Sequence, residues 1–588
     1  MPQNITCKID GIEVTVPEGT SVLDAAKKVG VKIPTLCYHP DLPAWAACGI
    51  CVVKIQGSPK IVRACATPVE AGRGGAANNY ITRDAELITT RRAVLELILS
   101  NHPNDCLRCA RSGNCELQTL AADFGIREQP FEENFQHLPK DESTTSIVLN
   151  PEKCVKCGRC ALVCQKLQGV YALEFIGRGE TTRLAPAAGV SLNESPCIKC
   201  GQCSAHCPVG AIYEKDETEK VFAALSNPKK HKVVQIAPAV RVAIGEAFGF
   251  KPGELQTGKL YAALRRLGFD KVFDTNFAAD LTIMEEGTEF IHRFTKAPQE
   301  LPLITSCCPA WVDYMGKYTN DLMAHFSTCK SPQQMEGAMI KTYYAEKSDI
   351  RAADIFVLSV MPCTAKKFEV TEDDMRRGGL PDVDVAITTR ELARMIKQAG
   401  IDFNALPDED VDPLLGTYSG AGTIFGVTGG VMEAALRTAV SKITGEKLPK
   451  VEFTETRGMD GVKTAKLNVG GNEVRIAVAH GMVNIENVLN EIRAAKKEGK
   501  ELPYHFVEVM ACRGGCIGGG GQPQGATDEI RAQRTAGLYK DDEISRLRCS
   551  HDNPDVQAAY KEFLGEPNSH KAHELLHRHY QKRPVYSR

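Results

Sequence analysis

The sequence predicts a multidomain protein of the α+β class, in which small cysteine-rich units precede a larger α/β unit. The chain has 588 residues, more than a single domain usually holds. It has 23 cysteines, and most of them form tight clusters before residue 212. From residue 232 onward, short apolar runs typical of strands alternate with longer helical stretches.

The composition is that of an ordinary globular protein, with 43% hydrophobic and 24% charged residues. A formal net charge of −2 gives no reason to expect a nucleic acid or an acidic membrane surface as partner. The N-terminus lacks the features of a signal peptide, and no apolar run is long enough to span a membrane. We therefore expect a cytoplasmic protein whose cysteines stay reduced and serve as metal ligands or in catalysis.

Residues 1–80 are predicted to form a plant-type ferredoxin domain with a β-grasp fold. Two alternating strands flank a turn at Asp10 and Gly11, and residues 21–29 have helical spacing. The candidate ligands are four cysteines: Cys37, Cys48, Cys51 and Cys65. Their spacing is wider than in the common plant form, but the set fits one 2Fe-2S cluster. A structural zinc site with four thiolates is the alternative.

Residues 81–142 are predicted to hold one 4Fe-4S cluster. A helix over residues 91–100 leads into the site, and the polar residues 127–150 suit a connector. The candidate ligands are one histidine and three cysteines: His102, Cys106, Cys109 and Cys115. Their spacing allows either zinc or a 4Fe-4S cluster, and the flanking cluster sites favour the cluster.

Residues 143–222 contain an internal repeat of two four-cysteine runs, which predicts a two-cluster ferredoxin domain of the bacterial type. In that pattern the fourth cysteine of each run binds the other cluster. One 4Fe-4S cluster is therefore expected on Cys154, Cys157, Cys160 and Cys207, and the second on Cys197, Cys200, Cys203 and Cys164. Gln165 replaces the proline that normally follows the first run. A zinc site is a weak alternative here.

Residues 230–588 are predicted to form the α/β unit, with a helical segment at its C-terminal end. Three loops in this unit carry further cysteines: TSCCPAW at 305–311, MPCTAKKFE at 361–369 and EVMACRGGC at 508–516. Each follows an apolar run that suits a strand, and ligand sites form beyond the carboxyl ends of strands. The loops are therefore expected to bring four cysteines to one metal centre: Cys308, Cys363, Cys512 and Cys516.

These three loops resemble the signature loops of the iron-iron hydrogenase large subunit, and the resemblance extends over nearly the whole chain. It implies an H-cluster, with a 4Fe-4S cubane on the four cysteines. Cys516 would also bridge to a two-iron unit that carries CO, cyanide and a dithiolate. The resemblance further implies that Lys366 contacts a cyanide ligand and that Met361 and Met510 pack around the two-iron unit. Ala237 and Pro238 would line the same pocket.

The resemblance also implies a route for protons. The positions that match it are Cys307, Glu286, Ser327 and Glu289. A thiol can pass a proton to a nearby base, and carboxylates at i and i+3 share one face of a helix. Without the resemblance, Glu285, Glu286 and Glu289 would be interpreted as a solvated helix face. The remaining cysteines, Cys7, Cys329 and Cys549, are expected to be small buried side chains, although Cys329 is close enough in sequence to Ser327 to lie near the proton route.

Two further motifs are weaker. His573 to His577 has the HExxH pattern of zinc proteases, but a C-terminal helix that docks onto the domain or onto a partner is the preferred interpretation. Residues 420–426 (GAGTIFG) have a spacing close to that of a dinucleotide-binding loop, but no clear strand precedes them. We therefore expect any nicotinamide cofactor to bind to another subunit.

The predicted function is reversible H2 oxidation and proton reduction, with electrons passing through one 2Fe-2S cluster and three accessory 4Fe-4S clusters. The expected partners are ferredoxin and/or a diaphorase-type flavin subunit that binds NAD(P), in a hetero-oligomer that is able to bifurcate electrons. Residues 562–580 resemble the catalytic subunit of NADP-reducing hydrogenases. The alternatives are an electron-wiring subunit of an NADH dehydrogenase-like complex and a sensor of H2.

Overall fold

The computed structural model describes residues 3–71, 77–445, 452–469 and 471–587. The N-terminal unit is a five-stranded sheet in the order β2-β1-β5-β3-β4, with one helix packed against it. The predicted hairpin and helix are confirmed: Gly11 adopts a φ of +86° at the turn, and the Ser21 side chain caps the helix. The elements are β1 Asn4–Ile9, β2 Ile12–Pro17, α1 Val22–Lys28, β3 Val52–Ile55, β4 Ile61–Arg63 and β5 Asn79–Ile81.

Two helices connect this sheet to the next unit, α2 Ala85–Ser100 and α3 Glu116–Asp123. The predicted helix over 91–100 therefore starts earlier than expected. The cause is Asp84, whose side chain accepts a hydrogen bond from the backbone N–H of Leu87 and caps the first turn.

The two four-cysteine runs fold around a small antiparallel sheet of β6 with β9 and a separate hairpin of β7 and β8. In each run a glycine with positive φ, Gly158 or Gly201, precedes a short helix. The elements are β6 Ile147–Leu149, α4 Arg159–Leu162, β7 Glu174–Ile176, β8 Arg183–Ala185, α5 Gln202–His206 and β9 Ile212–Glu214. Helix α6, Thr218–Leu225, then leads into the large unit.

The large unit contains two four-stranded sheets. The first has the order β11-β10-β13-β16 and is parallel throughout, and the second has the order β12-β19-β18-β17 with one antiparallel pair. The strands are β10 His231–Ile236, β11 Lys271–Asp274, β12 Leu303–Ile304, β13 Ile355–Met361, β14 Arg376–Arg377, β15 Leu380–Pro381, β16 Val385–Thr388, β17 Val462–Val469, β18 Asn472–His480 and β19 Phe506–Met510. The strands predicted before the three cysteine loops are confirmed, but they belong to two sheets.

Helices surround and separate these sheets, and buried apolar side chains join both layers. They are α7 Thr257–Leu267, α8 Thr275–Lys296, α9 Pro309–Tyr318, α10 Pro332–Met339, α11 Ala345–Lys347, α12 Ala365–Glu369, α13 Thr389–Gln398, α14 Gly420–Ile424, α15 Gly430–Thr444, α16 Met482–Glu498, α17 Asp528–Ile544, α18 Pro554–Ala559 and α19 His570–Leu576. Among the described residues, no helix is both long and apolar enough to traverse a bilayer.

Candidate active site and cysteine clusters

The four cysteines of the three loops lie together in the interior of the large unit. Cys308 precedes α9, Cys363 follows β13, and Cys512 and Cys516 follow β19. Burial, followed by the charge of the neighbouring Cys308, raises the pKa of Cys363 to about 12. Burial also raises the pKa of Cys516, with contributions from the other three thiols. None of these cysteines forms a disulfide, so the loops assemble four free thiols, of which Cys363 and Cys512 are buried and Cys308 and Cys516 are partly buried.

Glycines let the backbone approach this set closely. A Cβ on Gly515, where φ is +92°, would lie 2.7 Å from the backbone nitrogen of Thr428 and 2.8 Å from the sulfur of Met510. A Cβ on Gly519 would lie 2.2 Å from the carbonyl oxygen of Pro362. These separations are below ordinary contact distances, so only glycine fits at these positions.

Other predicted residues surround the same set. Lys366 is buried, and its Nζ donates to Glu369 Oε2 at 2.8 Å and to the carbonyl oxygen of Cys307 at 3.3 Å. Burial tends to lower the pKa of Lys366, but the adjacent Glu369 carboxylate outweighs it and the pKa is raised, which keeps the ammonium charged. Ala237 and Pro238 lie buried after β10, and Met361 and Met510 end β13 and β19.

The predicted proton-route residues lie close to one another. Glu286 is 2% exposed, and burial raises its pKa to about 8. Ser327 hydrogen-bonds to Glu286 and also donates to Glu289 Oε2 at 3.2 Å. Cys307 is close enough to Glu286 that the carboxylate contributes to the raised pKa of the thiol. The side chains thus lead from beside Cys308 toward the outer part of α8, where Arg293 donates to Glu289 at 2.6 Å.

The interpretation of the helix glutamates as a solvated face is wrong, because Glu285 is also completely buried. Its carboxylate accepts hydrogen bonds from Tyr560 and from the backbone N–H of Asn568, and it contacts His577. Cys329 is buried next to Ser327, and its backbone N–H donates to the Ser327 hydroxyl at 3.3 Å. Cys329 therefore does lie near the predicted route. Cys7 and Cys549 are buried, as expected.

The two ferredoxin-type runs interleave as predicted. Cys207, at the end of the second run, raises the pKa of Cys154 and Cys157 of the first run, after the larger effect of burial. The pKa of Cys203 is raised by burial first and then by Cys197 and by Cys164 of the first run. Cys160 completes the first group, and Cys200 lies with the second.

The predicted histidine site opens onto a cavity of about 370 Å³ that is lined by His102, Cys106, Cys109, Cys115 and Lys153. Burial lowers the pKa of His102 to about 4, so the imidazole is neutral near pH 7. Its buried Nδ1 has no hydrogen-bond partner. A neutral imidazole nitrogen without a partner, beside a cavity that three cysteines also line, fits a metal centre better than a structural hydrogen-bond site.

The four cysteines of the N-terminal unit also come together. The Cys37 thiol lies within hydrogen-bonding distance of Cys48 and Cys65, and Cys51 lies within the same distance of Cys65. Cys37 lies in the loop that follows α1, Cys48 and Cys51 directly precede β3, and Cys65 follows β4.

The cysteine groups are in contact along the molecule. Gly520 belongs to the run of glycines, 518–521, that follows Cys516. A Cβ on Gly520 would lie 2.3 Å from the carbonyl oxygen of Cys200, which places the second ferredoxin-type group beside the catalytic loops, the three cysteine loops of the large unit. Arg111 of the histidine site donates to the carbonyl oxygen of Cys207 at 2.8 Å. The rings of His39, near Cys37, and His206, beside Cys207, are 4.4 Å apart.

A buried charge joins three units at this last contact, and the sequence did not indicate it. Asp41 of the N-terminal unit forms an ion pair with Arg531 of α17 and lies 3.5 Å from Nε2 of His206. Burial alone would raise the pKa of Asp41, but the nearby His206 and the hydrogen-bonded Arg531 lower it. These residues are isolated in sequence and follow no motif, so only the folded chain brings them together.

Neither of the weaker motifs forms a site of the class it suggested. His577 of the HExxH pattern is buried and contacts Glu285, whereas His573 is exposed. Two further groups of three possible metal ligands lie elsewhere among the described residues, at His39, Asp41 and His206 and at Cys549, His551 and Asp552. Residues 420–424 form helix α14 after a stretch without a strand, which differs from a dinucleotide-binding loop.

Comparison with family models agrees with this organisation. Residues 230–520 match the iron only hydrogenase large subunit, C-terminal domain, and residues 528–583 match the iron hydrogenase small subunit. Residues 2–74 match a 2Fe-2S iron-sulfur cluster binding domain, and residues 153–211 match a 4Fe-4S dicluster domain. Residues 91–130 match the NADH-ubiquinone oxidoreductase-G iron-sulfur binding region.

Two relatives are similar over nearly the full chain. The NADP-reducing hydrogenase subunit HndD of Solidesulfovibrio fructosivorans is 50% identical, with 98% of this chain and 99% of the relative covered. Iron hydrogenase 1 of Clostridium pasteurianum is 39% identical, with 98% and 100% covered. The solved apo [FeFe]-hydrogenase HydA1 from Chlamydomonas reinhardtii superimposes with a TM-score of 0.56 and 43% identity, over 63% of this chain and 99% of that chain. This protein therefore belongs to the iron-only hydrogenase family and is an iron–iron hydrogenase catalytic subunit that oxidises H2 or reduces protons, with electrons relayed through its N-terminal iron–sulfur domains.

Proposed function

We propose that Cys308, Cys363, Cys512 and Cys516 hold the H-cluster, and that this centre interconverts H2 with protons and electrons. The observation that carries the proposal is the convergence of four free thiols, two of them buried and two partly buried, from three loops beside a run of glycines. When bound, the H-cluster supplies the metal chemistry that makes or cleaves the H–H bond. Cys516 is proposed to be the thiolate shared between the cubane and the two-iron unit.

The surrounding side chains are proposed to bind and orient the two-iron unit. The charged ammonium of Lys366 offers a hydrogen bond to an anionic cyanide ligand. Met361 and Met510 supply apolar, polarisable packing, and the backbone at Ala237 and Pro238 closes the pocket. Because these groups are buried, they also exclude water from the reacting atoms.

Protons are proposed to reach this pocket through Cys307, Glu286, Ser327 and Glu289. Glu286 is protonated over most of the physiological range because its pKa is raised to about 8, so its carboxyl group is able to donate toward Cys307. The Ser327 hydroxyl accepts from one carboxyl group and donates to the other, and in this way it connects the two glutamates.

Electrons are proposed to pass through one 2Fe-2S cluster and three accessory 4Fe-4S clusters. The 2Fe-2S cluster takes Cys37, Cys48, Cys51 and Cys65, and the cluster with a histidine ligand takes His102, Cys106, Cys109 and Cys115. The group containing Cys207 contacts both of these sites, and the group containing Cys200 contacts the catalytic loops. This order of contacts supports a relay with two entrances and one path to the H-cluster.

We further propose that the electrons are exchanged with an NADP(H)-linked flavin subunit, with ferredoxin as a second partner if the complex bifurcates electrons. The full-length similarity to an NADP-reducing hydrogenase subunit supports this partner. Reduced cysteine ligands and NADP(H) also suit a cytoplasmic hetero-oligomer.

The test is anaerobic H2 evolution with reduced methyl viologen, on enzyme loaded with the two-iron unit. We expect strong activity in the wild type and in the control Cys549→Ala, whose side chain is buried away from the site. Cys307→Ser should lose most of the activity because serine is a far weaker acid than a thiol. Inactive wild type with a full iron content would favour an H2 sensor, and a lack of the H-cluster iron would favour an electron-wiring subunit.

A further inference from the structure

The C-terminal segment places one histidine of the HExxH pattern directly beside the proton route. Residues 576–578 run antiparallel to residues 328–330: Lys330 N–H donates to the carbonyl oxygen of Leu576 at 2.8 Å, and Arg578 N–H donates to that of Thr328 at 2.8 Å. His577 is therefore fixed by backbone hydrogen bonds next to the loop that carries Ser327. Its side chain is only 8% exposed.

His577 is hydrogen-bonded on both sides of its ring. Nδ1 lies 2.7 Å from the hydroxyl of Thr328, and Nε2 lies 3.0 Å from Oε2 of Glu285. The Thr328 hydroxyl in turn faces Oε2 of Glu289 at 3.5 Å, while the Thr328 N–H donates to the same oxygen at 3.2 Å. The contact of the hydroxyl is long, as is common for catalytic hydrogen bonds in an enzyme without its ligands. A line of groups that can carry protons thus leads from Glu289 to His577.

This line also reaches solvent. Thr328 is partly exposed, and its contact with Nδ1 of His577 is only partly buried. The exposed His573 packs against the His577 ring, with 4.1 Å between centroids and 38° between the ring planes. The other neighbour of Glu289 is Arg293, which is 5% exposed and donates to three backbone carbonyls as well as to Glu289. A guanidinium does not give up a proton at physiological pH, so Arg293 can hold Glu289 but cannot pass protons to it through its own titration. Histidine titrates in that range.

We propose that His577 exchanges protons between solvent and Glu289 through the hydroxyl of Thr328, as a second outlet of the proton route. This inference rests on the proposed role of Glu289. In the inward direction, protonated His577 gives the proton on Nδ1 to Thr328 Oγ1, and Thr328 releases its own hydroxyl proton to Glu289. His577 is left neutral, with its Nε2–H still hydrogen-bonded to Glu285, until Nδ1 takes up another proton from solvent at its partly buried contact with Thr328. The outward direction is the reverse.

The groups that face His577 favour this cycle. Glu285 on α8 is held by Tyr560 and by the N–H of Asn568, so its carboxylate stays aimed at Nε2 and stabilises the imidazolium. Thr328 lies between Glu289 and the ring, Cys329 pairs with His577 along the backbone, and His573 is the neighbouring titratable group in its own segment. A carboxylate that orients a histidine while the opposite nitrogen carries the proton is an arrangement suited to proton transfer.

The test compares His577→Gln and Thr328→Val with the wild type and with His579→Gln, a control at an exposed histidine two residues away. Glutamine keeps a hydrogen-bond donor for Glu285 but cannot titrate, and valine removes only the hydroxyl. We expect both variants to lower H2 evolution by about tenfold or more. We also expect a larger solvent isotope effect in D2O, because proton delivery becomes limiting. His579→Gln should behave as the wild type does.

A second measurement does not depend on turnover. After transfer of the protein to D2O, the carbonyl stretch of the buried, protonated Glu286 shifts as its proton exchanges, and infrared spectroscopy follows the rate. We expect slower exchange in His577→Gln and Thr328→Val at unchanged melting temperature. Exchange as fast as in the wild type would reduce His577 to a structural anchor of the C-terminal segment and overturn the proposal. Inactive wild type would instead contradict the hydrogenase mechanism. The Glu286 exchange rates of the variants and the wild type would then still test the role of His577.

Discussion

At the scale of single residues, the protein sets the proton affinity of Glu286 by burial. The side chain is 2% exposed, and Glu289 and Glu508 add negative charge to its surroundings. A carboxyl group loses more solvation as an anion than as an acid, so its pKa rises, here to about 8. Helix α8 alone would not reveal this, because EEGTE in sequence also suits a solvated face. The neighbours of Glu286 include Ser327 and Glu508, which are distant from it in sequence.

This pKa predicts a pH dependence for proton reduction. Below about pH 8 the folded enzyme keeps Glu286 protonated and able to donate, and above about pH 8 the donor form is lost. We therefore expect viologen-driven H2 evolution to fall above that pH, while H2 oxidation, which needs the basic form, is favoured there. Glu286→Gln should lower both directions by about a hundredfold or more and remove this limb of the profile. Thr288→Val, a change on the same helix outside the route, is the control.

At the scale of elements, the strands and loops with strong local signals were predictable, and the contacts between units were not. The hairpin at Asp10 and Gly11 and the strands before Cys363 and Cys512 follow from local alternation and apolar runs. Asp41 and Arg531 have no such signal, since their partners depend on how the N-terminal unit docks. The ligand spacing in the cysteine runs predicted the grouping of thiols because adjacent ligands must reach one cluster.

The ion pair between Asp41 and Arg531 predicts a cost for separating these units. Both side chains are buried, at 2% and 3% exposure, so removing one partner leaves a charge without compensation. We expect Arg531→Ala to destabilise the docked arrangement by about 3–5 kcal/mol and to speed hydrogen exchange in the loop around Asp41. Arg513→Ala is a matched control, because its pair with Asp528 is more than a third exposed and should contribute about 0–1 kcal/mol. Equal effects of the two variants would mean that the buried pair does not hold the units together.

At the scale of the whole molecule, the cysteine groups form a branched path. The loop around Cys37 and the histidine site each contact the group that contains Cys207, whereas the group that contains Cys200 contacts the catalytic loops. Buried side chains fill these junctions, and Gln202 donates to the carbonyl oxygen of Gly518 at 2.9 Å. The effect of losing a cluster therefore depends on where it lies in the path. The Cys37 site and the histidine site are two alternative entrances for electrons, whereas every electron must pass the group that contains Cys200.

This arrangement predicts different outcomes for two equivalent substitutions. Cys48→Ser at the outer 2Fe-2S site should lower the NADP(H)-linked activity of the native complex, while viologen still drives H2 evolution because it reduces inner clusters directly. Cys200→Ser lies where the path meets the H-cluster site, so it should lower both activities together. Iron content and electron paramagnetic resonance would establish that each variant has lost only its own cluster. Full NADP(H)-linked activity in Cys200→Ser would contradict a single inner path and would require electrons to reach the H-cluster by another route.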